Sequence, residues 1–224
     1  IMQKALIFKE WVKTRMVFFI SLALAVCVAL YAVLMMKRLV ELKGMDHLWL
    51  IMLLKDNTFI DIIKYVPLVV GVAVAVAQMA PEMVQKRLKL TLHLPYPQRR
   101  LISLMLMTGM VELFVIYLVQ GLIIFIYDAS IMPSEMSLRV MLTTLPWYFA
   151  GFTAYLFVTS ICLEGTWGRR IVLALLAVAV LMIFFLQPVP EAYNAVIWLM
   201  ILFVFLLTIF SFGSVVRFKE GRQD

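Results

Sequence analysis

Long apolar stretches alternate with short charged ones along this chain. Continuous apolar runs occupy about residues 16–36, 65–80, 101–127, 140–163, 171–186 and 195–216, and the charged residues fall mostly between them. The first run, 21 residues long, would extend roughly 32 Å as a helix at ~1.5 Å per residue, enough to cross a ~30 Å hydrocarbon layer. The runs are unbroken rather than alternating, which argues for helices and against a barrel. The pattern predicts an all-α integral membrane protein, a single transmembrane domain over 1–224 with six transmembrane helices. Small residues recur four apart in the second run (Gly71 with Ala75, Ala73 with Ala77), a spacing that lets helices approach closely in lipid.

Two segments outside the runs have helical periodicity. Residues 2–15, MQKALIFKEWVKTR, group Ile7, Phe8, Trp11 and Val12 opposite Lys9, Glu10 and Lys13. They read as an N-terminal amphipathic interfacial helix, or as a plain helical extension of the first span, rather than as a cleavable signal. Between the second and third runs, residues 82–94 place Glu82, Gln85, Lys86, Lys89 and His93 on one face at about 100° per residue, with most of the other face apolar. Pro95 and Pro97 end that helix. The 37–64 connection is longer and of mixed charge. Its apolar piece, 48–54, is too short to span and is expected on the membrane surface or against the bundle.

Composition strengthens the membrane assignment: 65% of residues are hydrophobic and 15% charged, with a mean hydropathy of +1.03. The net charge of +7 flanks the spans instead of forming a patch with aromatic residues, so membrane topology accounts for it better than nucleic acid does. If the spans alternate in direction, 14 of the 20 Lys and Arg residues fall on the side of the termini and 6 on the other. Both termini are therefore expected in the cytoplasm. The only two cysteines, Cys27 and Cys162, sit within apolar runs and read as reduced packing residues.

No phosphate-binding loop, metalloprotease pair or nucleophile elbow occurs, so no catalytic residues and no metal site are expected, and an enzyme is not. His47 and His93 fall on opposite predicted sides of the membrane and cannot share a metal. The 16 methionines have no common spacing and read as packing residues. Glu112, near the middle of the third run, is the one acid deep in a span; ionised there it costs on the order of 2.5–3.5 kcal/mol, so it should face the bundle interior or be protonated. Gln120 lies roughly on the same face, and Gln78 ends the second run. Glu112 and Gln120 read either as the lining of a substrate path or as interhelical hydrogen bonds that fix packing.

The stretch PEMVQKRLKLTLHLPYPQRRL carries a likeness to a known family. It resembles the segment of type-2 ATP-binding-cassette (ABC) exporter permeases in which an acidic residue precedes a basic helix, a Leu-x-Leu-Pro turn and an arginine. Glu82, Lys86, Arg87, Leu92, Leu94, Pro95 and Arg99 are the matching positions, although the usual glycine between the acid and the turn is absent. Lys9 and Glu10 in FKEW are similar to a charged pair of that family's N-terminal helix.

The resemblance implies a permease subunit moving a substrate, by export, across a bacterial inner membrane. It makes 82–94 a cytoplasmic coupling helix whose Glu82, Gln85, Lys86, Arg87, Lys89 and His93 contact a separate ABC ATPase. Glu164, Arg169 and Arg170 in EGTWGRR would form a second cytoplasmic contact. It further implies a second permease copy or paralogue, with ATP and Mg on the ATPase and no cofactor on this chain. Two other readings stay open: a non-transporting scaffold or sensor whose basic helix binds anionic lipid, and a proton-coupled carrier using Glu112.

Overall fold

The computed structural model describes residues 2–45, 49–50, 52, 60–84, 98–187 and 189–219. Most of the segment 82–94, including Gln85, Lys86, Arg87, Lys89 and His93, lies outside the described residues, as do His47 and most of 48–54.

Every long element is a helix, and no strand occurs among the described residues. The helices are α1 (Met2–Lys43), α2 (Val66–Val84), α3 (Gln98–Ile131), α4 (Ser134–Leu163), α5 (Trp167–Ile183) and α6 (Ile197–Lys219). Short 3-10 turns precede α2 (Asp61–Ile63) and α6 (Asn194–Val196). Four segments are long and apolar enough to cross a membrane: Gln3–Lys43, Asp61–Met83, Arg100–Ile131 and Ser134–Leu163. The fifth helix, of 17 residues, and the apolar Asn194–Ile209 segment are shorter.

Residues 2–15 form the first turns of α1 and not a separate helix. The 42 residues of α1 make a rod of about 63 Å, twice the ~30 Å hydrocarbon layer. Nothing between Met2 and Lys43 breaks it: the stretch has no proline and no glycine, and its charged residues are good helix formers. α2 likewise runs on through Pro81 to Val84, so Glu82 belongs to the end of the second helix.

Contacts fix the direction of the first four helices. Lys13 of α1 meets Glu82 of α2, while Met36 clusters with Ile60 and Ile63, so α1 and α2 are antiparallel. Thr14 reaches Glu112 and Gln120 reaches the Ala25 carbonyl, so α1 and α3 run in parallel. Tyr155 of α4 contacts Gln78 of α2 and Leu106 of α3. On α3 and α6, Ser103 and Met110 share a cavity wall with Ile201 and Ile209. The N-terminal end of α1, the C-terminal end of α2, the N-terminal end of α3 and the C-terminal end of α4 therefore gather at one end of the bundle.

α2 and α4 touch backbone to backbone where Gly71 crosses Gly151. A Cβ on Gly151 would come 2.7 Å from the Pro67 carbonyl oxygen and 2.8 Å from Cζ of Tyr117, whose hydroxyl donates to that same carbonyl at 2.8 Å. The small residues of the second run thus serve a contact within the chain: Ala75 is fully buried and Gly71 faces α4. Met52, from the 48–54 piece, is buried against the bundle. Gly151→Ala should lower stability by about 1–3 kcal/mol through overpacking, read as a lower thermal unfolding midpoint of the detergent-purified chain. Gly168→Ala, with nothing within 4 Å of the added methyl, should leave that midpoint unchanged or slightly raised, since alanine favours the helix over glycine.

Candidate functional site

A cluster of polar side chains is buried where α1, α2, α3 and α4 meet. α1 contributes Lys9, Glu10, Lys13 and Thr14; α2 contributes Gln78 and Glu82; α3 contributes Glu112; α4 contributes Tyr155. Residues 10 and 14 are one helical turn apart, as are 78 and 82, so each helix presents two polar positions in register on one face. Glu10, Thr14, Gln78, Glu82, Glu112 and Tyr155 are each at most 4% exposed.

The ammonium of Lys13 is the hub. It lies 2.8 Å from Glu10 Oε2 and 3.0 Å from Glu82 Oε1, with its side chain 12% exposed. Lys9, one turn earlier and more exposed, sits 2.9 Å from the same Glu82 oxygen. Buried carboxylates are tolerated only when paired or hydrogen-bonded, and two lysines on one face of α1 meet that need for both helices.

Gln78 carries the network inward. Its amide nitrogen donates to Glu10 Oε2 at 3.1 Å and to the Met105 carbonyl at 2.7 Å. Its amide oxygen accepts from the Tyr155 hydroxyl at 2.7 Å, with the Leu106 carbonyl 3.3 Å from that hydroxyl. Gly109 makes room here, since a Cβ would lie 2.6 Å from Gln78 Oε1. Thr14 links the last member: its hydroxyl donates to Glu112 Oε1, and the Glu10 carbonyl is 3.1 Å away. One oxygen each of Glu82 and Glu112 has no hydrogen-bond partner. Three carboxylates thus face two ammonium groups in a confined space, an arrangement that can hold helix ends together and respond to a change in any one charge. Among the described residues, no group of three or more His, Cys, Asp or Glu side chains is placed to hold a metal ion.

Glu112 and Gln120 are both buried, but they do not form one site. Eight residues, ~12 Å along the axis, separate them, and Gln120 Nε2 reaches the Ala25 carbonyl of α1 at 3.4 Å. Glu82 was expected on an outward face with Lys86 and Lys89, whereas it is 1% exposed and turned toward α1. The local wheel shows which side of 82–94 is polar and not that a cationic helix stands opposite. In the α4–α5 turn, Glu164 is buried, its Oε1 lies 3.8 Å from Arg169, and its carbonyl accepts from Arg170 Nε at 2.8 Å. Arg170 also stacks over Trp167 at 5.2 Å.

Sequence reasoning did not single out Thr14, Tyr155 or Asp128. A tyrosine deep in an apolar run needs a partner for its hydroxyl, which is the signal that marks Tyr155. Asp128 is fully buried at the far end of α3, with neither carboxylate oxygen hydrogen-bonded.

No family model matches this chain, and no curated protein or solved structure shows significant similarity to it.

Replacing Gln78 by Leu removes a donor from Glu10 and Met105 and an acceptor from Tyr155 at once. At ~1–3 kcal/mol for each stranded buried group, Gln78→Leu should cost at least about 2 kcal/mol, and Tyr155→Phe about 1 kcal/mol. Thermal unfolding of the purified variants checks both values. Unchanged midpoints would show that the network contributes nothing.

Proposed function

We propose that the chain is the permease subunit of an ABC exporter of the type-2 class. In this reading it works in a bacterial inner membrane with both termini in the cytoplasm and α5 and α6 completing six spans. The observation that carries the proposal is the pairing of Lys9 and Lys13 with Glu82. Glu82 opens the basic segment that resembles a coupling helix, and the lysines belong to the N-terminal segment that resembles the family's amphipathic helix. Any displacement of 82–94 would therefore pull on α1 directly, and on α3 and α4 through Gln78, Thr14 and Glu112.

The mechanism follows as leverage. The sequence holds no nucleotide-binding motif, so energy arrives from a separate ATPase. Closure of two ATPase subunits on ATP and Mg moves the 82–94 segments of two permease copies, or of one copy and a paralogue. The bundles then rock between inward- and outward-facing states. Lys86, Arg87 and Lys89 pair with acidic groups of the ATPase, with Gln85 and His93 on the same face. Glu164, Arg169 and Arg170 form the smaller second contact. Glu82 acts in this scheme as the hinge point between that segment and the bundle, since its carboxylate is taken up by α1.

The test is co-purification followed by charge reversal. The tagged chain, extracted in a mild detergent, should bring down a nucleotide-binding subunit. Lys86→Glu with Arg87→Glu places like charges across the contact, a penalty of several kcal/mol. Substrate-stimulated ATP hydrolysis of the reconstituted complex should then fall at least about tenfold. Absence of any ATPase from the purified material, or stimulation unaffected by the reversal, would reject the proposal.

A further inference from the structure

At the end of the bundle away from Glu82, two cavities of opposite character share one wall residue, Tyr193. The first, of about 290 Å³, lies between the start of α2, the middle of α4 and the α5–α6 connection, and is lined by Asp61, Lys64, Tyr65, Trp147, Gln187 and Glu191 among others. The second, of about 490 Å³, is a groove between α5 and α6 whose lining includes Phe184, Leu199, Met200 and Phe203. Tyr193 stands between them, its hydroxyl donating to the Ile183 carbonyl at 2.6 Å and accepting from the Gln187 amide at 3.1 Å.

The smaller cavity carries charges of both signs. Asp61 and Glu191 supply carboxylates. Lys64 holds its ammonium 5.5 Å from the Tyr65 ring and 5.9 Å from the Phe185 ring. Pro146 lies inside α4 and has no amide hydrogen, so it takes the helical donor away from the carbonyl of Leu142, and both residues line this cavity. Glu191 is the one non-glycine residue with positive φ among the described residues, at 62°. That conformation favours glycine, yet the residue that adopts it is charged and lines this cavity.

The groove is the reverse: its walls are hydrocarbon and aromatic, and its lining residues Leu199 and Leu202 are 62% and 52% exposed. A purely anionic ligand would meet two carboxylates in the polar cavity, and a purely cationic one would meet Lys64. A group carrying both charges, continued by a hydrocarbon chain, complements the pair of cavities together.

We propose that these cavities form a binding site for a zwitterionic phospholipid of the phosphatidylethanolamine class. Its ammonium lies against Asp61 and Glu191, its phosphate against Lys64, and one acyl chain runs along the α5–α6 groove beneath Tyr193. Aromatic side chains at this level suit the headgroup zone of a bilayer. The site does not depend on the transporter reading.

The full chain, delipidated in detergent, is titrated with short-chain phosphatidylethanolamine and with phosphatidylglycerol of equal chain length, and adducts are followed by native mass spectrometry. The ethanolamine lipid should bind at least about tenfold more tightly, the worth of one charge-assisted contact. Glu191→Gly, which removes the carboxylate while relieving the backbone, should abolish that preference and keep the unfolding midpoint at or above that of the unaltered chain. Leu199→Trp, narrowing the groove at an exposed position, should weaken both lipids equally. Equal affinity for the two lipids, an unaltered preference in Glu191→Gly, or free phosphoethanolamine binding as tightly as the lipid would each overturn the proposal.

Discussion

One ammonium group holds two helices by their acids. Lys13 sits within 3.0 Å of carboxylate oxygens from Glu10 on its own helix and Glu82 on the next, in a place where neither acid is more than 3% exposed. An unpaired carboxylate there would be strongly unfavourable. Because α1 is one unbroken rod, it sets Lys9, Glu10, Lys13 and Thr14 against the end of α2 and the middle of α3 while still filling the core with Ala25, Ala29, Ala32 and Met36.

The rest of the bundle divides around that constraint. Toward the termini, polar side chains interlock across four helices through Gln78 and Tyr155. In the middle, packing depends on size: Gly71 and Gly151 bring α2 and α4 together, and Tyr117 stacks on Tyr148 with ring centroids 5.2 Å apart. At the opposite end the structure opens into cavities, with charge in one and hydrocarbon in the other.

The all-helical character and the positions of the apolar helices were legible in the sequence, because an unbroken apolar run in lipid has few alternatives. Helix ends were less so. Residues 2–15 were readable either as a separate interfacial helix or as an extension, and the wheel alone does not distinguish them; the pairing of Lys13 with Glu82, 69 positions away, accompanies the extension. The second run was read as ending at about residue 80, yet α2 continues through Pro81 to Val84. Glu112 stood out as a buried acid, but its partner Thr14 is a hydroxyl in a charged segment and gave no sign of its role. Glu82 shows the general limit: periodicity describes a helix against itself, and which face turns inward depends on what another helix presents to it.

The most direct test of this account is a double-mutant cycle on Lys13 and Glu82 in the full chain, with Lys13→Met and Glu82→Gln alone and together, followed by thermal unfolding in detergent. The account predicts a coupling of at least about 1 kcal/mol between the two positions, with the double change costing less than the sum of the two single changes. Strictly additive losses, within about 0.5 kcal/mol, would mean that the two groups do not interact and that the N-terminal rod is not tied to the second helix.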